Sequence, residues 1–131
     1  MGRIVLDGRD IEPLKAVGVK AVILFGSQAL GIAREGGDWD VAVIGSKSKV
    51  AYDAVYDIMT AKINQLVDID IVFLREAPLE LQKHVAKYGV VLFQESPNVF
   101  ADFKQRLMLD YADFAPHRYI FQKATMDRIP L

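Results

Sequence analysis

The stretch from Val19 to Val43, VKAVILFGSQALGIAREGGDWDVAV, decides how this chain folds. Val19 to Phe25 is a β-rich apolar run, too continuous for a strand with one wet face. It reads as a central strand covered on both sides. Gly26-Ser27 follows at once. The pair Gly36-Gly37 marks a turn, and Trp39 to Ile44, WDVAVI, is a second strand of mixed character.

Working outward, Asp10 to Val17 reads as a short helix, with Asp10 as cap, Pro13 in the first turn and Gly18 as the stop. Downstream, Tyr52 to Leu66 carries Val55, Ile58, Met59, Ile63 and Leu66 at helical spacing, an amphipathic helix. Asp68 to Leu74 is a third strand. Ala77-Pro78 opens a helix to about Lys87, with Leu81 and Val85 inward. Gly89 ends it, and Val90 to Phe93 is a fourth strand. From Val99 the pattern is helical again, with Phe100, Phe103, Leu107 and Tyr111 or Phe114 on one side, until Pro116 kinks or splits it. Strands interleaved with helices, with no repeat and no linker, give an α/β class: a small sheet packed with helices. The expected organisation is one domain over residues 1–131, with residues 98–131 as a C-terminal helical extension. Strand order is not legible from the pattern.

The chain of 131 residues is 52% hydrophobic and 25% charged, which suits a soluble domain with a core that needs no staples. Sixteen Lys and Arg against 17 Asp and Glu leave a net charge of -1, so no global basic field recruits nucleic acid. The absence of cysteine excludes thiol nucleophiles, disulfide frameworks and Cys-based metal sites. MGRIVLDGRD breaks into charge after three apolar residues, unlike a secretory h-region. Val17 to Leu30 is too short and too polar to span a bilayer. A cytoplasmic location is expected.

The chemistry concentrates around the first two strands. Asp38 and Asp40 lie two apart, so a strand would put both carboxylates on one face. Like charges that close repel unless a cation lies between them, and carboxylates suit Mg²⁺. The pair is therefore either a metal clamp or two solvated acids after a turn. Gly26-Ser27 is either a plain turn or a loop whose glycine admits a ligand and whose amide and hydroxyl bind phosphate oxygens. The spacing fits neither a P-loop nor a Rossmann fingerprint. Asp68 and Asp70 share a face of the third strand, where a carboxylate entering a sheet core is costly unless paired or metal-bound. Asp70 lies deeper; Asp68 can equally sit at a solvated strand entrance. If this strand neighbours that of Asp40, three acids converge on one site.

Taken together, Gly26-Ser27, ten intervening residues, Asp38-x-Asp40 and a later Asp in an apolar strand resemble the minimal nucleotidyltransferases of the DNA polymerase β-like superfamily. The closest likeness is to the MNT antitoxins of HEPN/MNT toxin–antitoxin pairs, over about Val19 to Phe93. The resemblance implies that fold, with Gly26 and Ser27 holding the nucleotide's phosphates and Asp38, Asp40 and Asp70 as catalytic and metal-binding carboxylates. Asp70 is chosen over Asp68 because the family's acid stands seven residues before the Ala of an Ala-Pro-like turn, here Ala77. Two positions depart from the family: Gly37 stands where a Ser is usual, and Trp39 where the residue is small or aliphatic. Trp39 is expected to point away from the acids, into the opposite layer.

By the same resemblance, ATP is the donor, Mg²⁺ (two ions) the cofactor, and a tyrosine hydroxyl of a HEPN-type RNase toxin the acceptor, whose adenylylation silences it. Alternatives are an antitoxin acting by occlusion alone and a transferase for a small molecule such as an aminoglycoside. A nucleic-acid acceptor fits least, because the Lys and Arg residues are scattered. The tail stripe of Phe103, Leu107, Met108, Tyr111, Phe114, Tyr119 and Phe121 is read as covering the sheet, or in part as facing the toxin or a second copy. His84 is expected to face solvent and His117 to be a surface group.

Overall fold

The computed structural model describes residues 4–113. Phe114, Pro116, His117, Tyr119 and Phe121 lie outside them, as does the side chain of Tyr111. Nine elements follow in order: α1 Gly8–Ala16, β1 Val19–Phe25, α2 Gly26–Leu30, β2 Trp39–Gly45, α3 Lys49–Ile63, β3 Ile69–Phe73, α4 Leu79–Tyr88, β4 Val90–Gln94 and α5 Val99–Asp113, with a 3₁₀ turn at Leu74–Glu76. The four strands form one mixed sheet ordered β3-β2-β1-β4. β1 runs antiparallel to β2 and β4, and β2 runs parallel to β3. The parallel pair requires a crossover, which α3 supplies. This is the small mixed α/β fold expected from the sequence.

β1 is central, and its residues from Ala21 to Phe25 are all buried. Alternation along the strands divides the core in two. Val22, Leu24, Val41, Val43 and Ile71 face α1 and α3, where Leu14, Ala51, Val55 and Met59 complete the packing. Ala21, Ile23, Phe25, Ala42 and Ile44 face α4 and α5, and meet Val85, Phe100, Phe103 and Leu107. The tail stripe thus covers the sheet through Phe103 and Leu107. Met108 of the same stripe is exposed instead.

Helix ends differ from the sequence expectation for identifiable reasons. The first helix is capped by Asp7, whose carboxylate accepts from the Arg9 and Asp10 amides at 2.9 and 3.3 Å. Asp10 returns the bond to the Asp7 amide at 2.9 Å, so it closes a capping box from inside the helix and Pro13 falls beyond the first turn. The third helix starts three residues early because Ser48 caps it, its hydroxyl accepting from Ala51 N at 3.0 Å. It stops at Asn64, which takes the left-handed conformation at φ 53°. Leu66, expected on the apolar face, is consequently in solvent. Among the described residues no helix is long and apolar enough to cross a membrane.

Leu74, fully buried between the sheet and α4, is a direct probe of this packing. Leu74→Ala should lower unfolding free energy by roughly 2–5 kcal/mol in urea titrations. Val50→Ala, at a position 61% exposed, should change it by less than about 0.5 kcal/mol.

Candidate active site

β2 and β3 pair in parallel with Asp40 directly opposite Asp70, and β1 pairs with β2 so that Phe25 lies opposite Asp40. The three residues form a lateral row across the sheet. Their strand neighbours Ala42, Val72 and Ile23 pack toward α4 and α5, so the row stands on that face. Asp38 precedes β2 and is exposed, two residues before Asp40 and close enough to act on it electrostatically. Asp40 and Asp70 are therefore neighbours at one end of the sheet, with Asp38 two residues ahead of Asp40. Asp68 is not in the β3 ladder. It is exposed and serves through its carbonyl, which accepts from Trp39 N at 2.9 Å. Trp39 packs with the α1/α3 layer, away from the acids.

Gly26 is built into this row. It has φ 73°, a conformation costly to any residue with a Cβ. A Cβ there would also run into the Asp40 carboxylate. Bare backbone at this point is thus what lets Asp40 sit beside the β1–α2 turn. α2 itself, which the sequence pattern did not announce, is a five-residue helix ended by Gly31 at φ 72°. Ser27, half-buried, has a hydroxyl that hydrogen-bonds to nothing among the described residues. Gln28 ties α2 to the acid loop, its amide donating to the Gly37 carbonyl at 3.3 Å.

The acids of the site lack ion-pair partners among the described residues: Asp38, Asp40 and Asp70 take part in none of the ion pairs, which involve Asp7, Asp10, Asp53 and Glu76. Partial burial pushes the Asp40 carboxyl above the usual carboxylate value, and the charges of Asp70 and Asp38 push it further; His84 opposes them. Among the described residues no three acidic or imidazole groups come together in a cluster that could hold a metal ion. Carboxylates are nonetheless the donors that a hard cation such as Mg²⁺ takes, and Asp38, Asp40 and Asp70 are the ones this end of the sheet offers, with the space beside Gly26 taken by Asp40.

His84 is the functional candidate that the sequence pattern missed. It is half-buried, edge-on to Phe25 with centroids 6.3 Å apart. The available signal was its position three residues after the inward Leu81, which puts it beside the packed stripe of its helix. A separate cavity of about 540 Å³ lies under α2, lined by Leu6, Leu24, Gln28, Ala29, Trp39 and Leu92. It opens on the α1/α3 side, and none of the acids lines it.

Residues 12–98 match the family described as polymerase beta, nucleotidyltransferase. The chain is 32% identical over 102 residues to a protein adenylyltransferase MntA of Aphanizomenon flos-aquae (strain 2012/KM1/D3), covering 70% of this chain and 67% of that one. Among solved structures, one chain of a toxin–antitoxin crystallised with AMP-PNP superposes with a TM-score of 0.68 at 21% identity, over 92% of this chain and 99% of that one. A chain from the complex of tri-AMPylated Shewanella oneidensis HEPN toxin with MNT antitoxin gives 0.60 at 18% identity, over 89% and 98%. At these identities the structural likeness bears on the fold.

Two outcomes test the geometry. Gly31→Ala should cost about 1–3 kcal/mol from left-handed backbone alone, since nothing lies near its Cβ position. Gly26→Ala should cost more, and Asp40→Gly in that background should recover the excess, as read from denaturant midpoints. Because Asp40's folded pKa is raised, its ionisation works against the fold above that pKa. In chelator-treated protein Asp40→Asn should therefore be more stable than wild type at neutral pH. The difference should vanish as pH falls below the ordinary value of 3.8, where both states are protonated.

Proposed function

This chain belongs to the polymerase-beta nucleotidyltransferase family, and we propose that it transfers AMP from ATP to a tyrosine hydroxyl of a HEPN-type toxin, acting as that toxin's antitoxin. The observation that carries this reading is the row of Asp40 and Asp70, with Asp38 beside it, abutting Gly26-Ser27. Its support for the acceptor comes from the relatives, one an adenylyltransferase and one an antitoxin held with an AMPylated HEPN toxin.

In this reading the triphosphate lies across the β1–α2 turn, where the Gly26 backbone allows close approach and the Ser27 hydroxyl can donate to a phosphate oxygen. Asp38 and Asp40 would hold one Mg²⁺, and Asp38, Asp40 and Asp70 would share a second. Bound Mg²⁺ supplies neutralisation of the phosphate charge and a lower pKa for the attacking hydroxyl. Asp70, at the far end of the row from Gly26, faces the acceptor and takes its proton on a carboxylate oxygen. The tyrosine oxygen then bonds to the α-phosphorus, the bond from that phosphorus to the bridging oxygen breaks, and pyrophosphate leaves on the side opposite the acceptor. The chain works as one transferase domain, with residues 98–131 as its helical extension, and α5 within it packs onto the sheet through Phe100, Phe103 and Leu107.

Intact-protein mass spectrometry of the neighbouring-gene HEPN protein, incubated with this chain, ATP and Mg²⁺, tests the proposal. The expected result is a gain of one or more AMP units with wild type and none with Asp38→Ala/Asp40→Ala. An unchanged mass in a stable complex would instead establish neutralisation by occlusion.

A further inference from the structure

Across the sheet, Asp70, Asp40 and Phe25 occupy one row on strands β3, β2 and β1. His84 stands at the β1 end of that row. Its ring meets that of Phe25 at an interplanar angle of 74°, and it lies 5.1 Å from the ring of Tyr88. Phe25 is the residue immediately before Gly26-Ser27. The imidazole therefore overlooks the turn, and it is near enough to Asp40 to offset part of the repulsion there. Its ring nitrogens make no hydrogen bond among the described residues, so two aromatic neighbours hold the ring while its polar atoms remain available.

In-line transfer places acceptor and leaving group on opposite sides of the α-phosphorus. With Asp70 at the acceptor end, the leaving pyrophosphate lies toward β1, where His84 is. We propose that His84 contacts the β- and γ-phosphates of the nucleotide, donating a hydrogen bond to their oxygens and stabilising the departing pyrophosphate. The inference rests on the nucleotidyl-transfer reading of the same site. It assigns the α4 side chain a share of triphosphate recognition and leaves the carboxylates with the metal and the acceptor. An imidazole suits the task because a donor aimed at a multiply charged anion gives a stronger bond than a neutral pair.

Calorimetric titration of ATP and, separately, of AMP, each with Mg²⁺, separates this role from mere packing. His84→Phe keeps a ring beside Phe25 and Tyr88 but removes the donor; His84→Gln keeps a donor and gives up the ring. The expected result is that His84→Phe weakens ATP binding by about tenfold, the scale of a hydrogen bond to a charged group. AMP, which lacks the β- and γ-phosphates, should bind as it does to wild type, and His84→Gln should recover much of the ATP affinity. Unchanged ATP binding by His84→Phe, or equal losses for ATP and AMP, overturns the proposal. Failure of wild type to bind ATP at all would sink the nucleotidyl-transfer reading itself, and this inference with it.

Discussion

Asp40 and Asp70 sit opposite one another because β2 and β3 pair in parallel in one particular register. A slip of one residue would move Asp70 to the other face, among Leu14, Val55 and Met59. The apolar partners prevent it: Ile71 belongs to the α1/α3 layer and Val72 to the α4/α5 layer, so the core fixes the register and the register fixes the acids. Two like charges side by side work against folding, and burial first, then the charges of Asp70 and Asp38, raise the pKa of Asp40. The hydrophobic alternation of β2 and β3 outweighs this opposition. The acids gather at the strand ends, where Asp38 and Asp70 keep contact with water, and only Asp40 bears substantial desolvation.

The same constraint explains the turn after β1. Asp40 can occupy its place only if the residue beside it has no side chain, and the chain must also reverse there with positive φ. Gly26 satisfies both. Trp39, between the two acids in sequence, fills the opposite layer, so a bulky residue there leaves the acid face open. Gln28 then joins α2 to the carbonyl of Gly37, just ahead of Asp38. Turn, acid loop and third strand thus form one connected site.

Much of this was legible in the sequence. β1 was read with its observed bounds because an uninterrupted apolar run admits few other placements, and the period of two put Asp40 and Asp70 on defined faces. The direction of Trp39 followed from the same alternation. What escaped depended on side chains meeting across the fold. Strand order follows from tertiary packing, α2 is too short to show a period, and the cap at Asp7 was displaced to Asp10 because both residues of a capping box are acids. Leu66 completed a helical pattern on paper, but Asn64 had already ended the helix. His84 read as a solvent residue because only the placement of α4 over Phe25 reveals its neighbours.

The central claim is that the Asp40–Asp70 row, and not the neighbouring Asp68, carries the chemistry. Single-turnover AMP transfer to the toxin, followed for Asp40→Asn, Asp70→Asn and Asp68→Asn beside wild type, tests it most directly. The account predicts losses of at least about a hundredfold for the first two, the scale of losing a positioned catalytic group, and a rate within a few-fold of wild type for Asp68→Asn. An Asp70→Asn variant as fast as wild type, or an Asp68→Asn variant as slow as Asp70→Asn, would contradict it.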